Sequence, residues 1–305
     1  MISSLTINGT TLEWGSRTYI MGILNLTPDS FSGDGLLNIE STPDEFQIDL
    51  DLILDKARNF VENGADILDV GGESTRPGAQ LVSADVEMKR VIPVIAMLAA
   101  KLDVIISIDT YKSNVAEAAI QQGAHMVNDV WGLHADPALA GVAAKHNIPI
   151  ILMHNRSSWA NAEIKERLGG RYVGIPYDNL VEDVKCELME SVAIALSAGI
   201  IDDHIIIDPG IGFGKSVEQN LELVDRLDEI RALDYPVLFG PSRKSFIGYT
   251  LNLPPDQRLE GTAASVAIGI ARGVDIVRVH DVSFMSRVVR MTDAIVRRQK
   301  IENLG

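Results

Sequence analysis

Short apolar runs along this 305-residue chain end repeatedly on a side chain that can bind a polar ligand. The first runs into Asn25, the second into Asp69, and the next two into Asp109 and Asn128. Later runs lead to His154, to Asp208, to the triplet Ser242-Arg243-Lys244, and to Arg278 with His280. One such residue is often only a helix cap or a turn residue. Nearly all runs ending this way point to a converging polar ring of carboxylates, amides and cations around one ligand. A carboxylate that closes an apolar strand is costly to bury unpaired, so Asp109 and Asp208 need partners.

Three familiar catalytic patterns do not fit. Gly210-Ile211-Gly212-Phe213-Gly214-Lys215-Ser216 lacks the first glycine of a phosphate loop, because Pro209 stands there. Gly240-Pro241-Ser242-Arg243-Lys244 has Lys244 where a nucleophile elbow needs glycine. None of the six histidines forms the HExxH pattern of a zinc hydrolase. The glycines at 210–214 still suit a close approach of backbone to a ligand. Thr27 to Gly35 and Gly71 to Gly78 are rich in turn formers. Long loops of this kind are commonly lids or binding loops.

These residues need a scaffold that gathers strand ends. Eight β-rich runs, at about 19–24, 67–70, 104–108, 126–129, 150–153, 205–208, 237–239 and 276–279, alternate with helical patterns. Most are continuously apolar, as parallel strands buried on both faces require. At Asn63-Gly64, Gln122-Gly123 and Arg272-Gly273 a helical stretch stops at a glycine suited to the left-handed C′ position, and a β-rich run follows. The pattern predicts a (β/α)8 TIM barrel, whose active sites form at the C-terminal strand ends. Thr42-Pro43-Asp44-Glu45 has the signature of a helix start. Residues 4–17, with Asn8-Gly9 between two short β-like runs, predict a hairpin under the barrel, within an N-terminal segment 1–18. The rival doubly wound sheet would need a Gly-rich turn where Asn25-Leu26-Thr27-Pro28 stands. Residues 1–305 are expected to form one domain.

Composition excludes several function classes. Hydrophobic residues make up 46% of the chain and charged residues 23%, as in a globular protein. The longest apolar run, Val91 to Ala100, is half the roughly 20 residues of a membrane span and contains Pro93. No secretory signal pattern is visible, and the single Cys186 cannot form an intrachain disulfide, so a cytoplasmic location is expected. Forty-two acidic residues against 27 Lys and Arg set a formal net charge of −15, which argues against nucleic acid.

The polar blocks together resemble the dihydropteroate synthases of folate biosynthesis, over nearly the whole chain. They are Met21 to Ser32, Asp69 to Gly78, Ile108-Asp109-Thr110, Asn128 to Gly132, Asp208 to Lys215, Ser242 to Ser245 and Arg278 to Asp281. The resemblance implies condensation of 6-hydroxymethyl-7,8-dihydropterin diphosphate with p-aminobenzoate to 7,8-dihydropteroate and pyrophosphate. Asp109, Asn128, Asp208 and Lys244 would then bind the pterin. Asn25, Arg76, Arg278 and His280 would hold the diphosphate, with Asn25 also a ligand of Mg2+. Thr75, Pro77, Phe213, Ser242 and Lys244 would shape the p-aminobenzoate pocket.

The catalytic set implied is Lys244, Arg278, His280, Arg76, Asp29 and Phe31. It would act by dissociative C–O cleavage, which needs no nucleophile–base pair, with the two long loops closing over the pyrophosphate. Sulfonamides would be inhibitors. A homodimer packed through late barrel helices is also implied, and the small apolar stretch Thr262 to Arg272 fits it. The loop Ser32-Gly33-Asp34-Gly35 departs slightly from the family pattern, and residues 157–177 follow none. Two alternatives remain at this point. A folate-binding methyltransferase barrel would keep Asp109, Asn128 and Asp208 but has no need of the 242–244 block or of Arg278 and His280. A non-catalytic pterin-binding relic should have lost Asn25 or Arg76.

Overall fold

Apolar residues on both faces turn the eight β-rich runs into the strands of a parallel barrel. The computed structural model describes residues 2–27, 37–39, 46–75, 79, 81–158, 161–165 and 167–298. Its barrel strands are β3 (Tyr19–Asn25), β6 (Ile67–Gly71), β7 (Ile105–Asp109), β8 (Met126–Asp129), β9 (Ile150–Met153), β12 (Ile205–Asp208), β13 (Leu238–Phe239) and β14 (Ile276–Val279). They pair in parallel in the order β12-β9-β8-β7-β6-β3-β14-β13. A parallel bridge between Ile207 and Val237 brings the two end strands together.

Ten helices are seen among the described residues: α1 (Leu50–Glu62), α2 (Ala84–Lys101), α3 (Ser113–Gln121), α4 (Leu139–His146), α5 (Leu180–Ser197), α6 (Val217–Asp225), α7 (Leu227–Arg231), α8 (Ser245–Leu251), α9 (Leu259–Ala271) and α10 (Val282–Val296). The predicted joints hold, with φ of 96° at Gly64, 106° at Gly123 and 93° at Gly273. A side chain would be strained in each, so glycine lets the chain turn straight from helix to strand. None of these helices is long and apolar enough to cross a membrane.

Alternation along the strands separates two layers. Ile20, Leu24, Leu68, Ile106, Ile108 and Val277 face outward and pack under the helices. Tyr19, Met21, Ile67, Ile105, Met126, Ile151, Ile206, Leu238 and Ile276 face inward and fill the lower barrel. One inward step higher, the same strands carry Asp69, Ser107, Asn128, Asp208 and Arg278, with Asp109 one further step above Ser107. The barrel interior thus changes from apolar to polar within two residues, and that change makes the floor of a site.

The lower end is closed by β1 (Leu5–Ile7) and β2 (Thr10–Leu12), paired antiparallel with Leu5 opposite Leu12. Positive φ at both Asn8 and Gly9 is the turn expected of a two-residue hairpin. Leu5, Ile7 and Leu12 plug the inward apolar layer. Leu12→Ala is expected to cost about 2–5 kcal/mol of stability by leaving a cavity. Urea unfolding should show that loss with substrate KM values unchanged, since the plug lies at the far end of the barrel from the polar floor.

The helix start read at Thr42–Glu45 lies outside the described residues; the residues that follow are strand β5 (Phe46–Ile48), paired antiparallel with β4 (Leu37–Ile39). Their backbone groups are committed to that ladder. The helix starts after Asp49, whose carboxylate accepts from the Leu52 N–H at 3.0 Å.

Candidate active site

The polar floor is held by a charged cluster. Arg278, inward on β14, donates through Nε to Asp69 Oδ2 at 2.6 Å and through Nη2 to Asp109 Oδ2 at 2.6 Å. Asn128 Nδ2 donates to the same Asp69 oxygen at 3.0 Å. Asp69 is fully buried, and its other oxygen has no partner among the described residues. Burial raises the Asp109 carboxyl to about 7 against the pull of Arg278, with the Asp69 charge adding to the rise.

Asp208 closes β12 beside them. Its Oδ1 accepts from the Gly210 N–H at 2.7 Å, and burial raises its pKa against the attraction of Lys244. Lys244 bonds through Nζ to the Ile211 carbonyl and sits 4.7 Å from the Phe213 ring centroid. Burial lowers its ammonium to about 8, opposed chiefly by Asp208.

The loop between β12 and α6 is folded by close approach. Gly210 has φ of 68°, and a Cβ there would lie 1.8 Å from the His154 carbonyl oxygen. Lys215 turns inward, only 2% exposed, and donates to His154 Nδ1 at 2.9 Å, Gly210 O at 2.9 Å and Phe213 O at 3.1 Å. Those bonds pin the stretch that carries Phe213. His154 in turn lies 3.1 Å from Glu187 Oε2 on α5.

Ser242 and His280 meet at the ends of β13 and β14, with Oγ 3.0 Å from Nδ1 and accepting from the His280 N–H at 3.1 Å. Between Ser242 and Lys244, Arg243 is turned to a bidentate pair with Asp281 at 2.6 and 2.9 Å. The loop after β6 is anchored at its base. Lys112 Nζ bonds Glu73 at 2.8 Å and Glu87 at 2.6 Å, and Arg90 donates to the Gly72 carbonyl at 2.8 Å. From there the chain reaches Thr75, whose carbonyl accepts from the Tyr172 hydroxyl at 3.1 Å.

The structure therefore places Asp109, Asn128, Asp208, Lys244 and Arg278 on the inner ends of barrel strands or just beyond them. Phe213 lies beside Lys244, and Ser242 beside His280. Asn25 ends β3 in register with Gly71, which is in register with Asp109. Asp29, Phe31, Arg76 and Pro77 lie outside the described residues. Lys215 and Tyr172, which sequence reasoning left without a role, belong to the site's support, as does Asp69, which it placed in the polar ring without naming a ligand for it. The alternation of Ile67 with Asp69 carried a signal for its inward direction, since both must face inward on one strand.

Comparison with known proteins fits this geometry. Residues 21–280 match the family described as pterin binding enzyme. The chain is 50% identical over 285 residues to the dihydropteroate synthase of Clostridium beijerinckii, covering 93% of this chain and 96% of that one. It is 47% identical over 287 residues to the Bacillus subtilis dihydropteroate synthase, covering 94% and 92%. Among solved structures, the Clostridium difficile dihydropteroate synthase crystallised in the presence of pteroic acid superposes with a TM-score of 0.80 at 47% identity, covering 93% of this chain and 99% of that one. The Yersinia pestis dihydropteroate synthase in complex with a sulfonamide drug gives 0.85 at 37% identity, covering 97% and 100%. Matched along nearly its full length by synthases, with the polar floor on the strand ends of the same barrel, the chain belongs to the pterin binding enzyme family and, within it, to the dihydropteroate synthases.

Proposed function

We propose that this chain transfers the pterin-methylene group of 6-hydroxymethyl-7,8-dihydropterin diphosphate to the amine of p-aminobenzoate, releasing pyrophosphate and forming 7,8-dihydropteroate. The observation that carries the reading is the convergence of Asp109, Asn128, Asp208 and Lys244 on one buried floor. A pterin edge presents N–H donors beside a ring nitrogen and a carbonyl. Two carboxylates accept from the donors, while Asn128 and Lys244 donate to the acceptors.

Arg278 links this floor to the diphosphate. A pterin N–H that donates to Asp109 takes over the carboxylate now bound by Nη2, leaving that edge of the guanidinium for phosphate oxygens. His280 and Arg76 complete the anion site in this reading. Ser242 and Lys244 serve the arylamine carboxylate, with Thr75, Pro77 and Phe213 around its ring. The C–O bond breaks with its electron pair leaving on pyrophosphate, whose charge Arg278 and His280 stabilise. The methylene cation is delocalised into the pterin ring. The arylamine lone pair then forms the new C–N bond and its proton passes to the medium. Water competes for the cation, so the loops bearing Asp29, Phe31, Thr75 and Arg76 act by excluding it.

The donor set fits Mg2+. Asn25 offers a half-buried carbonyl oxygen with no side-chain hydrogen bond among the described residues. Among those residues, no group of three His, Cys, Asp or Glu side chains could hold a metal ion. A hard cation that takes most of its oxygens from phosphate and water needs no more than such an anchor. When bound, the ion would neutralise charge on the diphosphate.

A homodimer in the cytoplasm completes the reading. Ile268 on α9 and Phe284, Met291 and Ile295 on α10 are exposed apolar side chains on helices that pack together, and a second copy would cover them.

Pterin affinity is expected to be bell-shaped in pH, highest between about 7 and 8. Asp109 must be ionised to accept from the pterin, and its proton is lost near pH 7. Lys244 must be protonated to donate, and it loses its proton near pH 8. Calorimetric titration from pH 5.5 to 9.5 checks this, and Asp109→Asn should flatten the acid side alone. A flat wild-type profile would remove these two groups from pterin recognition.

Product formation tests the whole reading. Purified protein is incubated with the pterin diphosphate, p-aminobenzoate and Mg2+, and the mixture is followed by mass spectrometry. Dihydropteroate should appear only when all components are present. Saturable pterin binding without product would leave a binding protein rather than a synthase.

A further inference from the structure

The antiparallel hairpin β10 (Ala162–Lys165) and β11 (Gly169–Tyr172) is inserted between barrel strand β9 and helix α5. Apart from Gly169, Tyr172 is its only buried strand residue. The hairpin is tied down on both sides. Arg258 Nη2 donates to Leu168 O at 2.7 Å, Arg167 Nη2 to Asn252 O at 2.9 Å, and Gln219 Nε2 to Ile175 O at 3.1 Å. Gly174 lies so close to Ser216 that a Cβ would come within 2.3 Å of its backbone nitrogen. Tyr172 is therefore presented by a braced element.

Its two ends touch two different loops. The hydroxyl donates to Thr75 O, beyond β6, at 3.1 Å. The ring lies 6.1 Å from the Phe213 ring, beyond β12, with the planes tilted by 31°. One side chain thus connects the loops that carry both residues. Thr75, Tyr111, Trp131, Asn155, Tyr172 and Phe213 line a cavity of about 310 Å³. That is within the range of ligand pockets, roughly 300–1,000 Å³, and its faces are largely aromatic. The Asn155 amide is already engaged with Val130 and Ser157, and the faces of Tyr111, Trp131, Tyr172 and Phe213 offer stacking and shape as a means of selection.

We infer that Tyr172 is a specificity-determining residue for the arylamine substrate: its ring walls the arylamine pocket and its hydroxyl sets the position of Thr75. The inference rests on the reading of p-aminobenzoate as second substrate. Steady-state kinetics with both substrates varied test it in the wild type, Tyr172→Phe, Tyr172→Leu and Tyr172→Ala.

Tyr172→Ala should raise the arylamine KM at least tenfold, with kcat within threefold and the KM for the pterin diphosphate unchanged. Tyr172→Phe keeps the ring and should recover to within about threefold of the wild type. Tyr172→Leu preserves bulk without an aromatic face, should resemble the alanine variant, and serves if that variant does not fold. An arylamine KM within twofold of wild type in the leucine or alanine variant would overturn the inference, as would both KM values rising together. A wild-type protein that binds pterin but forms no product would instead sink the synthase reading, and this inference with it.

Discussion

Arg278→Met is expected to be the most damaging single change in the barrel interior, costing about 3–5 kcal/mol of stability and abolishing turnover. The guanidinium is the cation shared by Asp69 and Asp109, at 2.6 Å from each. Methionine keeps much of the stem but leaves two buried carboxylates facing each other. Asp69 keeps a bond from Asn128 but is fully buried, whereas Asp109 retains 13% exposure to water, so the unpaired charge costs more at Asp69. A second substitution separates the two effects. Arg278→Met with Asp69→Asn removes the unpaired charge, so at least half of the lost stability should return, while turnover should not. Urea unfolding and product formation measured on the same preparations decide it. A single variant as stable as wild type would mean that the ion pairs contribute nothing net. Turnover restored in the double variant would remove the guanidinium from the chemistry.

The barrel was legible because parallel strands buried on both faces write themselves as short apolar runs, and because glycines mark where helices stop. Four strands keep the expected limits at both ends, and the other four shift by a single residue; β7, for instance, starts at Ile105 and ends on Asp109 itself. The polar ring was legible for the same reason, since a charged residue at the end of an apolar run has few structural uses. Asp69 was read as part of that ring, but its partner was not: the inward direction it shares with Ile67 points it at Arg278 only once the barrel is closed. A contact spanning 209 residues has no local signature. Residues 46–48 pair as a strand, so the first helix begins only after Asp49. Tyr172 was beyond reach of pattern, since its meaning comes from Thr75 and Phe213, which the fold alone brings to it.

Lys215→Met should show how much of the arylamine side depends on one buried ammonium. The substitution leaves His154 Nδ1 and Phe213 O without their donor, while Gly210 O keeps the Phe213 N–H. Unsatisfied buried acceptors cost about 1–3 kcal/mol each, but methionine also removes the penalty of burying a charge, so a net loss of about 2–4 kcal/mol is expected near neutral pH. The pH dependence carries the sharper test. Burial pulls Lys215 down to about 7 against the attraction of Asp208, whereas an unfolded lysine titrates near 10.4. Between those values the unfolded chain binds more protons than the folded one, so wild-type stability gains as pH rises through the window. Methionine does not titrate. The stability gap between wild type and variant should therefore widen from pH 6.5 to pH 9.5, measured by urea unfolding at both. A gap that stays constant would mean that Lys215 keeps an ordinary ammonium in the folded state. In kinetics, the arylamine KM should rise by roughly tenfold, about 1.4 kcal/mol, because the Phe213 carbonyl is no longer held. If stability falls and that KM does not, Lys215 holds the loop together but leaves the Phe213 ring in place, and the hairpin tyrosine on its other side becomes the sufficient support.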